Sequence, residues 1–410
     1  MIGTMLQRAR AWAEALSEER LRLYPAAALT AVVVAFALSI GFSDGTGTLA
    51  GRLGGDYPAF YSAGSLVADG KADLLFHDGA AVSRQRELHD NGDDRYLAFA
   101  YPPHVALLYA PLSLLPYKWS YALHTVLMAA ALALSAWLIA PLLPVLGRYP
   151  FAMFVALLVF YPLFRSTFGG QNTGLTLLLL AIAWRAAAED RPTLLGLALS
   201  LLLFKPQFAL PVIALLGPRA RRRFWLTLGA GAGIVYALCV SVGGWDWLGW
   251  WLDAAGRFHA MDQGVNSANS IGFLGVLEAL LGVGHTGAVA FGLALSVAVC
   301  ALLAVIWWFV RVPVDIGMAA IFTALPLVQP HAMYYDGGLA LLSLFILYSR
   351  RLVTPALVVV LFAAAYVTPL SAVTGVSPMF VVLVATLILV LHGVVVERRR
   401  TATGHTELPD

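Results

Sequence analysis

Long apolar runs separated by short basic clusters set the pattern of this chain. Runs at 23–42, 122–141, 224–242, 288–310 and 379–396 approach or reach the roughly 20 residues a helix needs to cross about 30 Å of hydrocarbon. Open sheet is excluded at that depth, because lipid offers no partner to unpaired backbone groups. No series of alternating strands suggests a barrel. Shorter apolar pieces at 105–115 and 270–281, and a stretch at 193–216 interrupted by Lys205 and Pro206, predict interfacial or re-entrant helices, since proline ends a helix and a short run cannot span.

Arginines beside the runs mark the cytoplasmic ends. They fall at Arg8, Arg10, Arg20 and Arg22, at Arg148, Arg185 and Arg191, at Arg219 and Arg221 to Arg223, at Arg311, at Arg350 with Arg351, and at Arg398 to Arg400. Counting between them gives segments at 23–42, 118–140, 150–165 and 172–187, alternately outward and inward. The 193–216 stretch then leaves and returns on one side as two half-helices. Segments follow at 224–242, 285–310, 313–328, 335–348, 352–367 and 378–396, with both termini cytoplasmic. The expected fold is an all-α polytopic membrane protein of about ten to thirteen segments by the span-length criterion, with re-entrant helices and a long first outer loop at 43–103. Residues 1–400 form one domain and 401–410 a short tail.

Composition agrees with this reading. Of 410 residues, 60% are hydrophobic and 12% charged, where a soluble protein carries about a quarter charged. The net charge of +3 is spread over short loops, so it speaks for orientation and against nucleic-acid binding. Cys239 and Cys300 lie inside apolar runs and read as packing residues. The first 22 residues are basic but also carry Glu14, Glu18 and Glu19, and no small-residue cleavage site follows, so the first run reads as a retained span.

Two polar stretches could carry chemistry. The 243–270 loop holds Trp245, Trp247, Trp250 and Trp251, a density that marks a headgroup belt or, alternatively, a surface on which sugar rings stack. The 43–103 loop opens with Gly54-Gly55-Asp56-Tyr57-Pro58-Ala59-Phe60-Tyr61. A carboxylate held among aromatic rings near the membrane surface is partly desolvated, which raises its basicity and suits a general base. The other reading of Asp56 is a helix N-cap or turn residue after two glycines.

The Gly-Asp-Tyr-x-x-Phe-Tyr start, Tyr101-Pro102-Pro103 before an apolar run to Pro116, Gly170-Gln171-Asn172 opening a leucine-rich helix, and the 196–206 hairpin ending in Lys205-Pro206 occur in one order. That order resembles glycosyltransferase family 87, polyprenyl-phosphate-mannose-dependent mannosyltransferases of the C-type membrane superfold. Motifs support the resemblance over about 56–216, and topology alone to about Arg400. It implies a hexosyltransferase with a lipid-linked donor, Asp56 as base, an acceptor arriving from the outer face and inversion at the sugar. It also implies substrate contacts from Tyr57 and Tyr101.

A leaving phosphate near the bilayer needs a positive partner. Lys205, flanked by Leu201-Leu202-Leu203-Phe204 and Pro206-Gln207-Phe208, is the candidate, unless it snorkels to a headgroup. His331, in Gln329-Pro330-His331-Ala332-Met333-Tyr334-Tyr335-Asp336, is a candidate for phosphate or acceptor, with Asp336 as its natural partner, or else a solvated bystander. Gln171 and Asn172 suit sugar hydroxyls. Arg165 and Arg257 are lesser phosphate candidates. His77, His89 and His104 lack metal-ligand spacing, 91–95 reads as a turn, and no second acid flanks Asp56, so neither metal nor cofactor is expected. The expected partners are a polyprenyl-phosphate sugar, a lipid or glycan acceptor and membrane lipids, at a bacterial inner membrane. The alternative is a secondary transporter, which also uses broken helices and a membrane lysine, although no internal repeat is visible.

Overall fold

The computed structural model describes residues 18–43, 47–48, 51–88, 96–310 and 312–402. Arg8, Arg10, Arg311, His89, the expected turn at 91–95 and the tail from 403 lie outside the described residues.

The described residues are helical, apart from a two-residue antiparallel pairing of β1 (Gly47–Thr48) with β2 (Gly51–Arg52). Its first half comprises α1 (Glu18–Gly41), α2 (Tyr57–Ala68), α3 (Asp78–Leu88), α4 (Pro103–Ser113), α5 (Tyr117–Ile139), α6 (Pro150–Val159), α7 (Tyr161–Phe168), α8 (Thr173–Ala188), α9 (Pro192–Leu201) and α10 (Pro206–Leu216). The second half comprises α11 (Arg222–Gly243), α12 (Trp247–Asn266), α13 (Phe273–Leu281), α14 (Thr286–Val305), α15 (Val314–Val328), α16 (Ala340–Ser349), α17 (Pro355–Ala364), α18 (Ser371–Thr374) and α19 (Pro378–Ala402).

Among the described residues, six helices are long and apolar enough to cross a bilayer, beginning at Leu23, Tyr117, Arg222, Thr286, Pro355 and Pro378. A seventh crossing can be built from α6 and α7, and α8, the α9 segment to Phe204 and α15 are shorter apolar helices. This is the all-α polytopic architecture that the apolar pattern predicts. One difference concerns 150–165, expected as a single straight span. The helix bends by 73° between Val159 and Tyr161. Pro162, in the first turn of α7, cannot donate to the preceding turn and its ring crowds that turn's carbonyl. The expected break at Lys205 is present: a 3₁₀ turn at Leu202–Phe204 ends α9, and Pro206 starts α10. The 243–270 stretch, expected as a loop, is mostly the helix α12.

Burial separates the centre from the lipid face. α16 is apolar on all sides and almost entirely buried, as a helix in the middle of a bundle must be. It packs against α15 and α19. In contrast, Leu23, Val33, Val34 and Leu38 of α1 are exposed, the pattern of a helix at the lipid-facing edge. The site described next lies where α7, α8 and the 3₁₀ turn at Tyr334–Leu339 meet, against the turn that precedes α2.

Candidate active site

Two glycine turns interlock to create the site. Gly54 and Gly55 have φ of 84° and 53°, and Gly170 has φ of 75°, values that side chains with a Cβ rarely adopt. A Cβ on Gly170 would lie 2.4 Å from the Gly54 carbonyl oxygen, and one on Gly55 would lie 2.8 Å from that of Gly169. Absence of side chains lets the turns touch, and the Asp56 amide donates to the Gly169 carbonyl at 2.9 Å.

The first turns of α5 hold both loops. Tyr117 donates its hydroxyl to the Leu53 carbonyl at 2.7 Å, and Tyr121 donates to that of Phe168 at 2.8 Å. Tyr57 is fully buried and its hydroxyl is 2.6 Å from the Ser120 Oγ. Burial pushes that phenol far above its ordinary range, so it stays protonated. Its ring packs among Tyr61, Tyr109, Tyr117, Tyr121 and His124. The sequence points to Tyr57 as a substrate contact, whereas the structure places it in the packing beneath Asp56.

Asp56 precedes the first turn of α2 but makes no side-chain cap. Its Oδ2 instead accepts from Gln171 Nε2 at 2.6 Å, and the same amide nitrogen reaches Tyr335 Oη at 3.3 Å. A carboxylate facing the amide fixes the orientation of Gln171, because only the nitrogen can donate to it. Gln171 Oε1 is buried and has no hydrogen-bond partner among the described residues. Buried acceptors are normally satisfied, so this oxygen is a candidate contact for a substrate hydroxyl. Next to it, the buried Asn172 accepts from the Tyr101 hydroxyl at 3.3 Å.

Lys205 sits at the break between α9 and α10, with its side chain only 4% exposed. Its Nζ lies 3.4 Å from Oδ1 of Asp336, whose side chain is 8% exposed. The Tyr101 phenol is a further polar neighbour, and the Phe208 ring lies beneath the ammonium at 5.5 Å. A buried ammonium without a carboxylate costs several kcal/mol. Asp336 supplies it, which corrects the expectation that Asp336 partners His331. The partner of His331 is Asp262, near the end of α12, at 3.6 Å from Nε2. Burial lowers the imidazole's affinity for a proton, and the two neighbouring carboxylates, Asp262 and Asp336, partly offset this.

The candidates therefore converge. Asp56 connects through Gln171 to Tyr335, the neighbour of Asp336, which holds Lys205. Tyr101 feels the charges of Lys205, Asp336 and Asp56 together, and its phenol is raised, mainly by burial. Arg165 bonds the Tyr334 hydroxyl at 3.4 Å and lies within the field of Asp56. Arg257 lies elsewhere, against Phe76, Asp78 and Asp253. Sequence reasoning missed Tyr335 and Asp262. Tyr335 stood in a motif read for its histidine, and Asp262 in a stretch read for its tryptophans. His104, in the first turn of α4, faces Cys239 at 3.1 Å.

An aspartate oriented by an amide and linked to a buried lysine can take a proton from a hydroxyl while an anionic group departs on the other side. This is the chemistry of group transfer. The profile of glycosyltransferase family 87 matches residues 99–330, and that stretch carries Tyr101, Gln171, Asn172 and Lys205. Asp56 precedes it and Tyr335 and Asp336 follow it, joined to it by the contacts above. No curated protein and no solved structure matches the chain. The matched stretch is more than half of the chain and sets aside the transporter alternative: this membrane protein belongs to glycosyltransferase family 87.

Proposed function

We propose that the protein is an inverting transferase that moves a hexose, specifically mannose, from a polyprenyl-phosphate donor to a lipid or glycan acceptor at the outer face of a bacterial inner membrane. The observation that carries this reading is the connection of Asp56 to Lys205 through Gln171, Tyr335 and Asp336.

In this reading an acceptor hydroxyl lies against Asp56, which takes its proton as the oxygen forms a bond to the anomeric carbon. The bond from that carbon to the phosphate oxygen breaks, and its electron pair leaves on the phosphate. A single in-line displacement inverts the anomeric centre. Gln171 orients the base, much as an outer hydrogen-bond partner orients a ligand, and its Oε1 with Asn172 takes sugar hydroxyls. Lys205 has three N–H donors. One serves Asp336, which leaves the ammonium able to share the others with the phosphate and Tyr101. Arg165 adds a second positive charge on the Asp56 side, and His331 with Asp262 borders the acceptor. Tyr101 faces the substrate between Asn172 and Lys205. Neither a metal nor a cofactor takes part in this scheme, and the two termini are placed in the cytoplasm.

Membranes supplied with labelled polyprenyl-phosphate mannose test the proposal. Asp56→Asn is expected to abolish transfer while leaving expression and donor binding intact. Continued transfer by that variant refutes Asp56 as the base.

A further inference from the structure

Away from the Asp56–Lys205 network, a cavity of about 320 Å³ opens between α12 and the segment that follows α2. Trp250, Asp253 and Arg257 line it from α12, and Asp73, His77 and Asp78 from the other side. The three α12 positions follow at i, i+3 and i+7, which places them on one face of the helix.

The four tryptophans of this region have separate environments. Trp247 is buried against Tyr236 and Trp251. Trp251 donates to the Ala100 carbonyl at 3.2 Å, while Trp245 is the most exposed of the four. Trp250 alone lines the cavity, with 48% of its surface open. Arg257 is tethered there by the Phe76 carbonyl at 3.1 Å, by Asp78 at 3.5 Å and by Asp253 at 3.7 Å. These pairs are half exposed or more, and such pairs add little stability. What they do is hold a fan of acceptors and donors around one indole.

That combination is the chemistry of sugar recognition. The apolar face of a pyranose packs on an aromatic ring, while its hydroxyls donate to carboxylates and accept from a guanidinium. Three carboxylates against one guanidinium reject an anionic ligand, since like charges brought together cost several kcal/mol.

Two helices independently fix where this groove lies. Asp262, which contacts His331 at the site, follows Trp250 by twelve positions on α12, or about 18 Å along the axis. Asp56 precedes the 12-residue α2 and Asp73 and Asp78 follow it, again about 18 Å. Both rods connect the groove to the reacting centre across the length of a short oligosaccharide.

We propose that this groove is an acceptor subsite that binds the distal residues of a neutral glycan whose end reaches Asp56. The proposal rests on the transferase reading and names the acceptor class: an uncharged oligosaccharide several residues long, free or lipid-linked.

The test uses full-length protein in lipid nanodiscs, with neutral mannotriose and anionic trigalacturonate as probes in saturation-transfer NMR. Mannotriose is expected to bind wild type and to bind Trp250→Ala roughly tenfold more weakly, while Trp250→Phe keeps most of the affinity. Asp253→Asn, at a position 84% exposed and so without consequence for folding, is expected to weaken binding too. Equal affinity in wild type and Trp250→Ala, trigalacturonate binding as tightly as mannotriose, or no trimer binding at all overturns the proposal. Transfer from the lipid donor is measured on the same samples. Protein that binds the trimer in the groove but never transfers sugar sinks the transferase reading and leaves the groove standing, whereas transfer without groove binding sinks the groove alone.

Discussion

Asp56 and Gln171 stand 115 residues apart in sequence and 2.6 Å apart in space. The amide donates to the carboxylate, and the glycine turns behind each residue fix how closely they approach.

Gln171→Leu removes this charge-assisted bond at nearly constant volume. A bond of that kind contributes about 1.5–3 kcal/mol, so turnover is expected to fall roughly 10- to 100-fold with donor affinity little changed. Gln171→Glu is expected to be worse, because a second carboxylate then competes with Asp56 for one proton. Steady-state transfer assays check both, and unchanged turnover in Gln171→Leu removes the amide from its orienting role.

The Lys205–Asp336 pair calls for a double-mutant cycle. Lys205→Met or Asp336→Leu alone leaves an uncompensated buried charge and is expected to cost about 3–5 kcal/mol of stability. The double variant is expected to recover most of that loss in thermal unfolding, yet to bind the lipid donor no better than Lys205→Met. A double variant with wild-type donor affinity shows that the lysine serves folding alone.

Gly170→Ala tests the interlocked turns. The left-handed backbone costs about 1–2 kcal/mol for a residue with a Cβ, and the added methyl meets the Gly54 carbonyl at 2.4 Å and the Tyr57 Cβ at 2.5 Å. Transfer is expected to fall steeply even where protein accumulates. Gly229→Ala is the control: it sits in α11 with nothing within 4 Å of the new Cβ, and gains about 0.5–1 kcal/mol from helix preference. Full activity in Gly170→Ala contradicts the tight packing of the two turns.

His104 gives stability a dependence on pH. Burial brings it down from 6.5 to about 4, so the folded protein binds fewer protons than the unfolded chain between those values. Stability is therefore unaffected at neutral pH, starts to fall as pH drops through about 6.5, and has lost on the order of 3 kcal/mol by about pH 4. Unfolding midpoints of wild type and His104→Gln, measured across this range, are expected to converge as pH falls if the histidine is the titrating group. Parallel curves assign the acid sensitivity to other groups.

The apolar pattern shows the long spans well, because crossing the hydrocarbon takes a run of about 20 apolar residues as helix. It shows the Lys205 break too, since Pro206 follows an ionisable residue in an otherwise apolar run. The 73° bend before Tyr161 escapes it. Pro162 stands in plain view, but the surrounding run is so uniformly apolar that nothing in it separates a kink from a tolerated proline. In the site, Asp56, Gln171, Asn172, Tyr101 and Lys205 are each visible as polar residues in apolar or glycine-rich surroundings. Their partners are not, because the pairings of Asp336 with Lys205 and of His331 with Asp262 follow from how helices cross. Spacing along the chain misleads here: Asp336 is only five positions from His331, yet its carboxylate turns to the lysine.

The clasp that Tyr117 and Tyr121 form on the two glycine turns has a mechanical consequence. Bundles tilt and slide when the bilayer thickens or thins, and residues borne on separate spans drift apart as they do so. Here the loops bearing Asp56 and Gln171 hang from the same end of the same helix, and move as a unit. Their spacing is thereby insulated from lipid composition, and any sensitivity of this enzyme to membrane thickness falls on the side of the site that Lys205 occupies.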